Sequence, residues 1–329
     1  MICARKRLAS ALACLFLLPI FVCCCGCHGG GSSGLIPVKF QTDWYPQPEH
    51  GGFYEALLKG YYRQEGLDVT IVPGGPYVIA EQQVSVGATQ FAMGSSDRVL
   101  DAVAQGQPLV AVGATMQHDP QGIMMHAGSP VHSFADLEGH SIAIKTGATW
   151  FEYIVARYHL KDVHETPATY SIANFLQDPN YLQQIFVTSE PFFARKAGAD
   201  IHTMLISETG YDPYRVFFTS QSYLKEHPEV AAKFVRASLR GWRDYMADPK
   251  EVNAEILKLN PAMTAEQMQF TWQALKDGHF IYPEIDASKA GGMDPARWTA
   301  MYQQLLTLKV IQHPFDPATA YTIQFIQGK

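Results

Sequence analysis

The stretch FQTDWYPQPEHGGFYEALLKGYY, Phe40 to Tyr62, decides the reading of this chain. It begins as an apolar strand and breaks through Asp43-Trp44-Tyr45-Pro46 and Pro48-Glu49-His50-Gly51-Gly52. It then carries Phe53, Ala56, Leu57 and Tyr61 at helical spacing. Acid, indole, imidazole and a glycine pair therefore meet at one strand-to-helix junction. Open α/β sheets bind small ligands at such junctions, at the carboxyl ends of strands. The alternative is a turn that packs Trp44 and Tyr45 into the core. Such a turn has no use for Asp43, Glu49 and His50, because buried polar groups are costly unless partnered.

The same grammar extends downstream. Strands are predicted at 35–42, 67–72, 91–94 and 109–116, with helices at 52–62, 78–86 and 97–105 between them. This βα alternation predicts a largely parallel sheet with helices on both faces. The pattern breaks over 117–122. Strands are predicted again at 123–126, 141–145, 185–188, 201–206 and 215–219, with a helix at 150–158, so a second α/β unit spans about 121–213. Helices follow at 229–246, 251–257, 264–276 and 295–308. Asp248-Pro249, Asn260-Pro261 and Asp294-Pro295 read as N-cap-plus-proline starts. These helices read as cladding without chemistry.

The first 27 residues form a separate region. Arg5-Lys6-Arg7 precedes an apolar run at 8–22, which ends in Cys23-Cys24-Cys25-Gly26-Cys27. Basic start, short apolar run and small-residue exit describe an export signal. A membrane anchor needs about 20 unbroken apolar residues, and Pro19 interrupts this run. The cysteine cluster resembles a lipoprotein signal. Cys27, preceded by Gly26, is the expected lipidated residue, with Cys24 and Cys25 as alternatives, and 28–34 is a Gly/Ser tether. All six cysteines lie in this leader. The remainder therefore has no disulfide, thiolate nucleophile or Cys-ligated metal site. Removing 1–27 takes away three of the 25 cations and none of the 31 anions, so the net charge moves from −6 to −9. An acidic chain without a basic run argues against nucleic-acid binding and against membrane binding through charge.

Four blocks resemble one known family: 43–69 (DWYPQPEHGGFYEALLKGYYRQEGLDV), 86–114, 134–147 (FADLEGHSIAIKTG) and 187–198 (VTSEPFFARKAG), the last followed by 211–242. They are similar to the solute-binding proteins of bacterial ABC importers, in the subfamily for alkanesulfonates, nitrate and pyrimidine precursors of thiamine. That subfamily includes the eukaryotic thiamine-pyrimidine synthase. The resemblance implies a two-lobed type II periplasmic-binding-protein fold with two inter-lobe crossovers. Lobe 1 would comprise 35–116 plus 217–329, and lobe 2 would comprise 117–216. It also implies export to the periplasm or cell envelope, a lipid anchor, a monomer, a small-molecule solute, and a membrane permease with its ATPase.

Candidate solute-binding residues follow. Trp44 offers a flat face for stacking. Asp43 and Glu190 accept hydrogen bonds from ring or exocyclic N–H groups, or else cap a turn and a helix. Ser95 and Ser96, and Thr146, Gly147 and Thr149, stand at strand-to-helix junctions whose free N–H groups suit a ligand oxygen, or else serve only as N-caps. From the resemblance, His50 keeps the family's spacing from Trp44 and reaches the ligand edge, Gln117 faces the cleft from a hinge, and Tyr54 joins them. Arg98, inside a helix, reads as the nearest available cation. Carboxylates without a free cation disfavour a small oxyanion, so a planar, N–H-rich heterocycle is expected, a thiamine pyrimidine precursor first. A riboflavin-like or purine-like base stays open beside it, and a sulfonate, nitrate or taurine-type anion is the alternative.

No catalysis, cofactor or metal is expected. The synthase branch of the family uses pyridoxal phosphate and consumes its own histidine, at the place of His50. That chemistry also requires a cysteine-rich iron motif and a nearby lysine. Beyond Cys27 there is no cysteine, and 41–54 contains no lysine. His118, His126, His132 and His140 have no metal-ligand spacing.

Overall fold

The computed structural model describes residues 34–281 and 290–326. The leader, Cys27 and nearly all of the tether lie outside the described residues. The chain builds two five-stranded sheets. In the first, β1 (Ile36–Gln41) lies parallel to β2 (Leu67–Val72) and to β3 (Phe91–Ser95). In the second, β6 (Ser141–Ile144) lies parallel to β7 (His164–Pro167) and to β8 (Leu182–Phe186). The chain leaves the first sheet after β4 (Leu109–Met116) and enters the second as β5 (Gln121–His126). It leaves the second after β9 (Ile201–Leu205) and returns as β10 (Arg215–Ser220).

Strand order is β2-β1-β3-β10-β4 in one sheet and β7-β6-β8-β5-β9 in the other. In each, the antiparallel strand is the one arriving from the other sheet, β10 against β3 and β4, and β5 against β8 and β9. A chain that runs out of one sheet toward the seam must run away from the seam in the next. Its direction is therefore opposite to that of its neighbours. The carboxyl ends of β1, β3, β4, β6, β8 and β9 consequently converge on the seam, where ligands bind in open α/β sheets.

Among the described residues, twelve α-helices clad the sheets. Alpha1 (Gly51–Leu58), α2 (Tyr61–Gln64), α3 (Ala80–Ser85) and α4 (Ser96–Ala104) belong to the first passage. The second holds α5 (Thr149–Tyr158), α6 (Ala173–Gln177) and α7 (Glu190–Lys196). The third holds α8 (Gln221–Glu226), α9 (Pro228–Ala247), α10 (Lys250–Leu259), α11 (Ala265–Asp277) and α12 (Pro295–Thr307). The helix expected over 52–62 is two helices, split at Gly60, whose φ of 71° stops α1. Asn260 is not an N-cap. Alpha11 starts after Thr264, whose hydroxyl accepts from Gln267 N–H at 3.2 Å, while the Asn260 amide donates to Pro46 O at 2.9 Å. Beta7, HETP, gave no strand signal because it is a wholly exposed edge without apolar alternation. Beta8 begins three residues before the expected strand.

The core under the opening stretch is aromatic. Phe91 stacks on Phe234 with centroids 4.3 Å apart, and Phe40 lies 4.2 Å from Phe53. Alpha1 reaches this core only because two glycines let it approach α9. A Cβ on Gly52 would lie 2.2 Å from the Trp242 ring, and one on Gly241 would lie 2.1 Å from Gly52 O. This close approach fixes the start of α1, and with it His50. Gly52→Ala is expected to destabilise the protein by about 1–3 kcal/mol through overpacking. Urea unfolding followed by far-ultraviolet circular dichroism measures the loss.

Candidate functional site

The junction after β1 is held by its own polar groups. Thr42 Oγ1 donates to Trp44 O at 2.8 Å and accepts from Gly74 N–H at 3.0 Å. A Cβ on Gly74 would lie 2.2 Å from Thr42 O, so only glycine fits there. The loop after β2 thereby clamps Asp43 and Trp44 in place. His50 is fully buried, with Nε2 3.0 Å from Asp43 Oδ1. Burial lowers its pKa to about 4, so the ring is neutral near pH 7. Asp43 also pairs with the Arg215 guanidinium. An ionised carboxylate only accepts, so His50 Nε2 carries the hydrogen and Nδ1 is an acceptor. Among the described residues Nδ1 has no hydrogen-bond partner.

Sequence reasoning missed Arg215. Arg98 is not the nearest cation to the junction. It lies on α4, 3.7 Å from Glu81, whereas Arg215, the first residue of β10, touches Asp43 itself. Arg215 is buried, stands 3.8 Å from Asp119 and lies over the Phe186 ring at 5.7 Å. Burial lowers its pKa to about 10, so it stays charged. Burial raises Asp119 to about 7. A lone arginine heading an apolar strand carries no local signal. Only the return of the chain as β10 beside β3, one strand from β1, brings it to Asp43.

The other lobe supplies Glu190, at the start of α7. Its Oε2 accepts from Phe186 N–H at 2.8 Å. Burial pushes its pKa up to about 7, with the charge of Glu49 adding to the shift. Glu49, from the opening stretch, is buried and also raised by burial, and it accepts from Thr188 Oγ1 at 2.6 Å. Two carboxyls from opposite lobes therefore share one wall. Trp44, from the same stretch as Glu49, faces Tyr170 of the other lobe, with centroids 5.3 Å apart and planes 50° apart. Tyr170 is 51% exposed and has a φ of 54°, a conformation a bulky residue adopts only where its surroundings hold it. Sequence reasoning missed Tyr170 as well, since its loop has no periodicity.

The remaining candidates fall into other places. Tyr54 is buried in the aromatic core, and burial raises its pKa to about 12. Ser96 is consumed by the return crossover, because its Oγ accepts from Tyr214 N–H at 3.0 Å and its N–H donates to Tyr214 O at 2.9 Å. The Gln117 side chain donates to Gly292 O at 3.0 Å and its N–H to Phe280 O at 2.6 Å, tying down the C-terminal segment. Ser95 is buried at the end of β3. Thr146 and Gly147 are exposed in the loop before α5, Gly147 with a φ of 71°. Thr149 opens α5 within hydrogen-bonding reach of the Tyr211 hydroxyl, which donates to Asp97 at 2.7 Å. The structure thus gathers Asp43, Trp44, His50 and Glu190 with Glu49 and Arg215. It does not bring Ser96, Gln117 or Tyr54 to them as free groups. Among the described residues, no cluster of His, Cys, Asp or Glu could hold a metal ion.

The family model described as NMT1/THI5 like matches residues 47–252. The chain belongs to that family. Among the curated relatives of this NMT1/THI5-like protein is the riboflavin-binding protein RibY of Chloroflexus aurantiacus, 25% identical over 89% of this chain and 87% of the relative. The formylaminopyrimidine-binding protein of Halalkalibacterium halodurans is 28% identical over 72% of this chain and 75% of its own length. A 4-amino-5-hydroxymethyl-2-methylpyrimidine phosphate synthase of Saccharomyces cerevisiae, THI11, is 22% identical over 69% and 72%. Among solved structures, the aliphatic sulphonate binding protein SsuA of Escherichia coli superposes with a TM-score of 0.67 at 15% identity, over 89% of this chain and 94% of its own. The fold is thus the two-lobed, type II periplasmic-binding-protein fold, in agreement with the expectation from sequence.

The buried acids make stability depend on pH in a defined direction. Glu190 moves from 4.5 to about 7 on folding. Its contribution is complete below its unfolded pKa and is lost as pH rises through 7. Asp119 acts in the same sense. His50 acts in the opposite sense, its contribution complete above 6.5 and lost as pH falls through 4. Glu190→Gln is expected to flatten the fall in melting temperature between pH 4.5 and 7, as read by differential scanning fluorimetry across that range.

Proposed function

We propose that this protein captures a small, planar, N–H-bearing heterocycle between its lobes and delivers it to a membrane permease driven by an ATPase. The observation that carries the reading is the facing pair Trp44 and Tyr170, from opposite lobes; the interacting Glu49 and Glu190 carboxyls support it. With centroids 5.3 Å apart the two rings touch, so a flat solute stacks between them once they part to admit it. Each stacked face is worth about 1–3 kcal/mol. The carboxyls accept from N–H groups at the solute's edge when ionised, and they donate as well as accept when protonated.

An oxyanion fits this wall less well. Among the described residues the buried cation there, Arg215, is already paired with Asp43, and two further carboxyls from opposite lobes line the same wall. Binding a sulfonate would set like charges together. The ligands named for two relatives, formylaminopyrimidine and riboflavin, are both planar heterocycles. A pyrimidine of the thiamine-precursor type is the first choice. A flavin is the second, favoured by the additional ring of Tyr45, 49% exposed and 5.6 Å from Trp44.

We read the protein as a binder and not as a synthase. Beyond Cys27 it has no cysteine, and no lysine lies within 41–54. Export and a lipid anchor at Cys27 follow from the leader, and a monomer suffices for a cleft built within one chain. Among the described residues no helix is long and apolar enough to cross a membrane.

A thermal-shift panel of formylaminopyrimidine, riboflavin, an alkanesulfonate and nitrate tests the reading. One heterocycle is expected to raise the melting temperature, and both anions to leave it unchanged. Trp44→Ala and Glu190→Ala are each expected to weaken binding of that heterocycle by about 1–3 kcal/mol, measured by calorimetry. Full affinity in both variants would remove the cleft assignment.

A further inference from the structure

Between the two halves of the cleft runs a chain of polar contacts that the binding reading does not use. It starts at His50, whose Nε2–H donates to Asp43 Oδ1 at 3.0 Å. Asp43 Oδ2 accepts from Arg215. The other guanidinium nitrogen faces Asp119 Oδ2 at 3.8 Å, the longest step of the chain. Asp119 accepts from the Gln121 N–H at 2.8 Å and from its side-chain amide at 3.2 Å. Gln121 Oε1 accepts from Gln184 Nε2 at 2.8 Å, and Gln184 Oε1 accepts from Lys145 N–H at 3.0 Å. Lys145 opens the loop that leads to Thr149 and α5.

The chain has a polarity. From Lys145, each donor points through Gln184 and Gln121 to the Asp119 carboxylate. From the other lobe, His50 points to the Asp43 carboxylate. When both are ionised, two acceptor-only groups thus meet head to head, Asp43 after β1 and Asp119 in the outward crossover. Only a group with several donors in a fixed fork and no acceptor joins them, and that is a guanidinium. An ammonium offers one charge centre and cannot hold both in fixed geometry.

We propose that Arg215 is a positioning residue that keeps the Asp43–His50 half of the cleft in register with the Lys145–Thr149 half. The role assigned to those halves rests on the proposed solute binding, but the coupling itself is a property of the protein without ligand. Hydrogen–deuterium exchange of the whole, ligand-free chain reads it. Arg215→Lys and Asp43→Asn are expected to speed amide exchange over 145–149 at least fivefold, although neither residue touches that loop. Exchange in α9 should stay within twofold. Gln184→Leu, which removes a neutral amide and disturbs no ion pair, is expected to act in the reverse direction and speed exchange over 43–50. It decides the question if the charge variants fold poorly. Unchanged exchange at the distant segment in these variants, or equal loosening of all segments, overturns the proposal. A parallel titration with formylaminopyrimidine and riboflavin separates the two readings. Absence of binding by the wild type counts against the solute assignment alone, and the exchange result still decides the coupling.

Discussion

The ion pair between Asp43 and Arg215 is the constraint on which the rest of the site depends. Asp43 ends the first strand's junction, and Arg215 begins the strand that returns from the other sheet. Their contact joins residues 172 apart in sequence. Arg215 is buried and Asp43 half-buried, so removing Asp43 leaves an unpaired buried cation, at a cost that stays below the roughly 3–5 kcal/mol of a fully buried pair. The pair also settles the state of His50, because an ionised Asp43 fixes which ring nitrogen carries the hydrogen. The same pair occupies the cation that an anionic solute would otherwise use. Geometry, tautomer and ligand charge thus follow from one contact.

Around it, the topology accounts for why the site lies where it does. Each crossover enters its new sheet as the antiparallel strand, so the parallel strands of both sheets end at the seam. The junctions after β1, β6 and β8 deliver the opening stretch, the 145–149 loop and Glu190 to that seam. Tight glycine contacts then remove play from the first junction, at Gly74 against Thr42 and at Gly52 against Trp242. Burial of Glu49 and Glu190 in the resulting wall raises both acids. Such a wall suits a solute whose hydrogen-bonding edge meets them in either protonation state.

Much of this was legible in the sequence, because periodicity and junction chemistry are local. The strand, the broken turn and the glycine-led helix of 40–62 stand in the residues themselves, and so do most later strands. The order of the strands within each sheet does not. Arg215 and Tyr170 escaped notice for a physical reason. Each matters only through a contact with the Asp43-Trp44 turn, and nothing beside either residue announces it. Ser96 and Gln117 erred the other way. Both stand at sheet ends, but the crossover backbone and the C-terminal segment consume their hydrogen bonds. Asn260-Pro261 shows the same competition, since a cap-like dipeptide instead serves a long-range contact to Pro46.

The proposed solute is a planar heterocycle seated between the rings of Trp44 and Tyr170. A crystal structure of the protein grown with formylaminopyrimidine, and another with riboflavin, tests it most directly. Flat density between those two rings is expected in one of them, with the rings parted and an N–H edge of the solute within hydrogen-bonding distance of Glu190. Solute bound away from Trp44, or held by Arg98 and Lys145 through an anionic group, would contradict it.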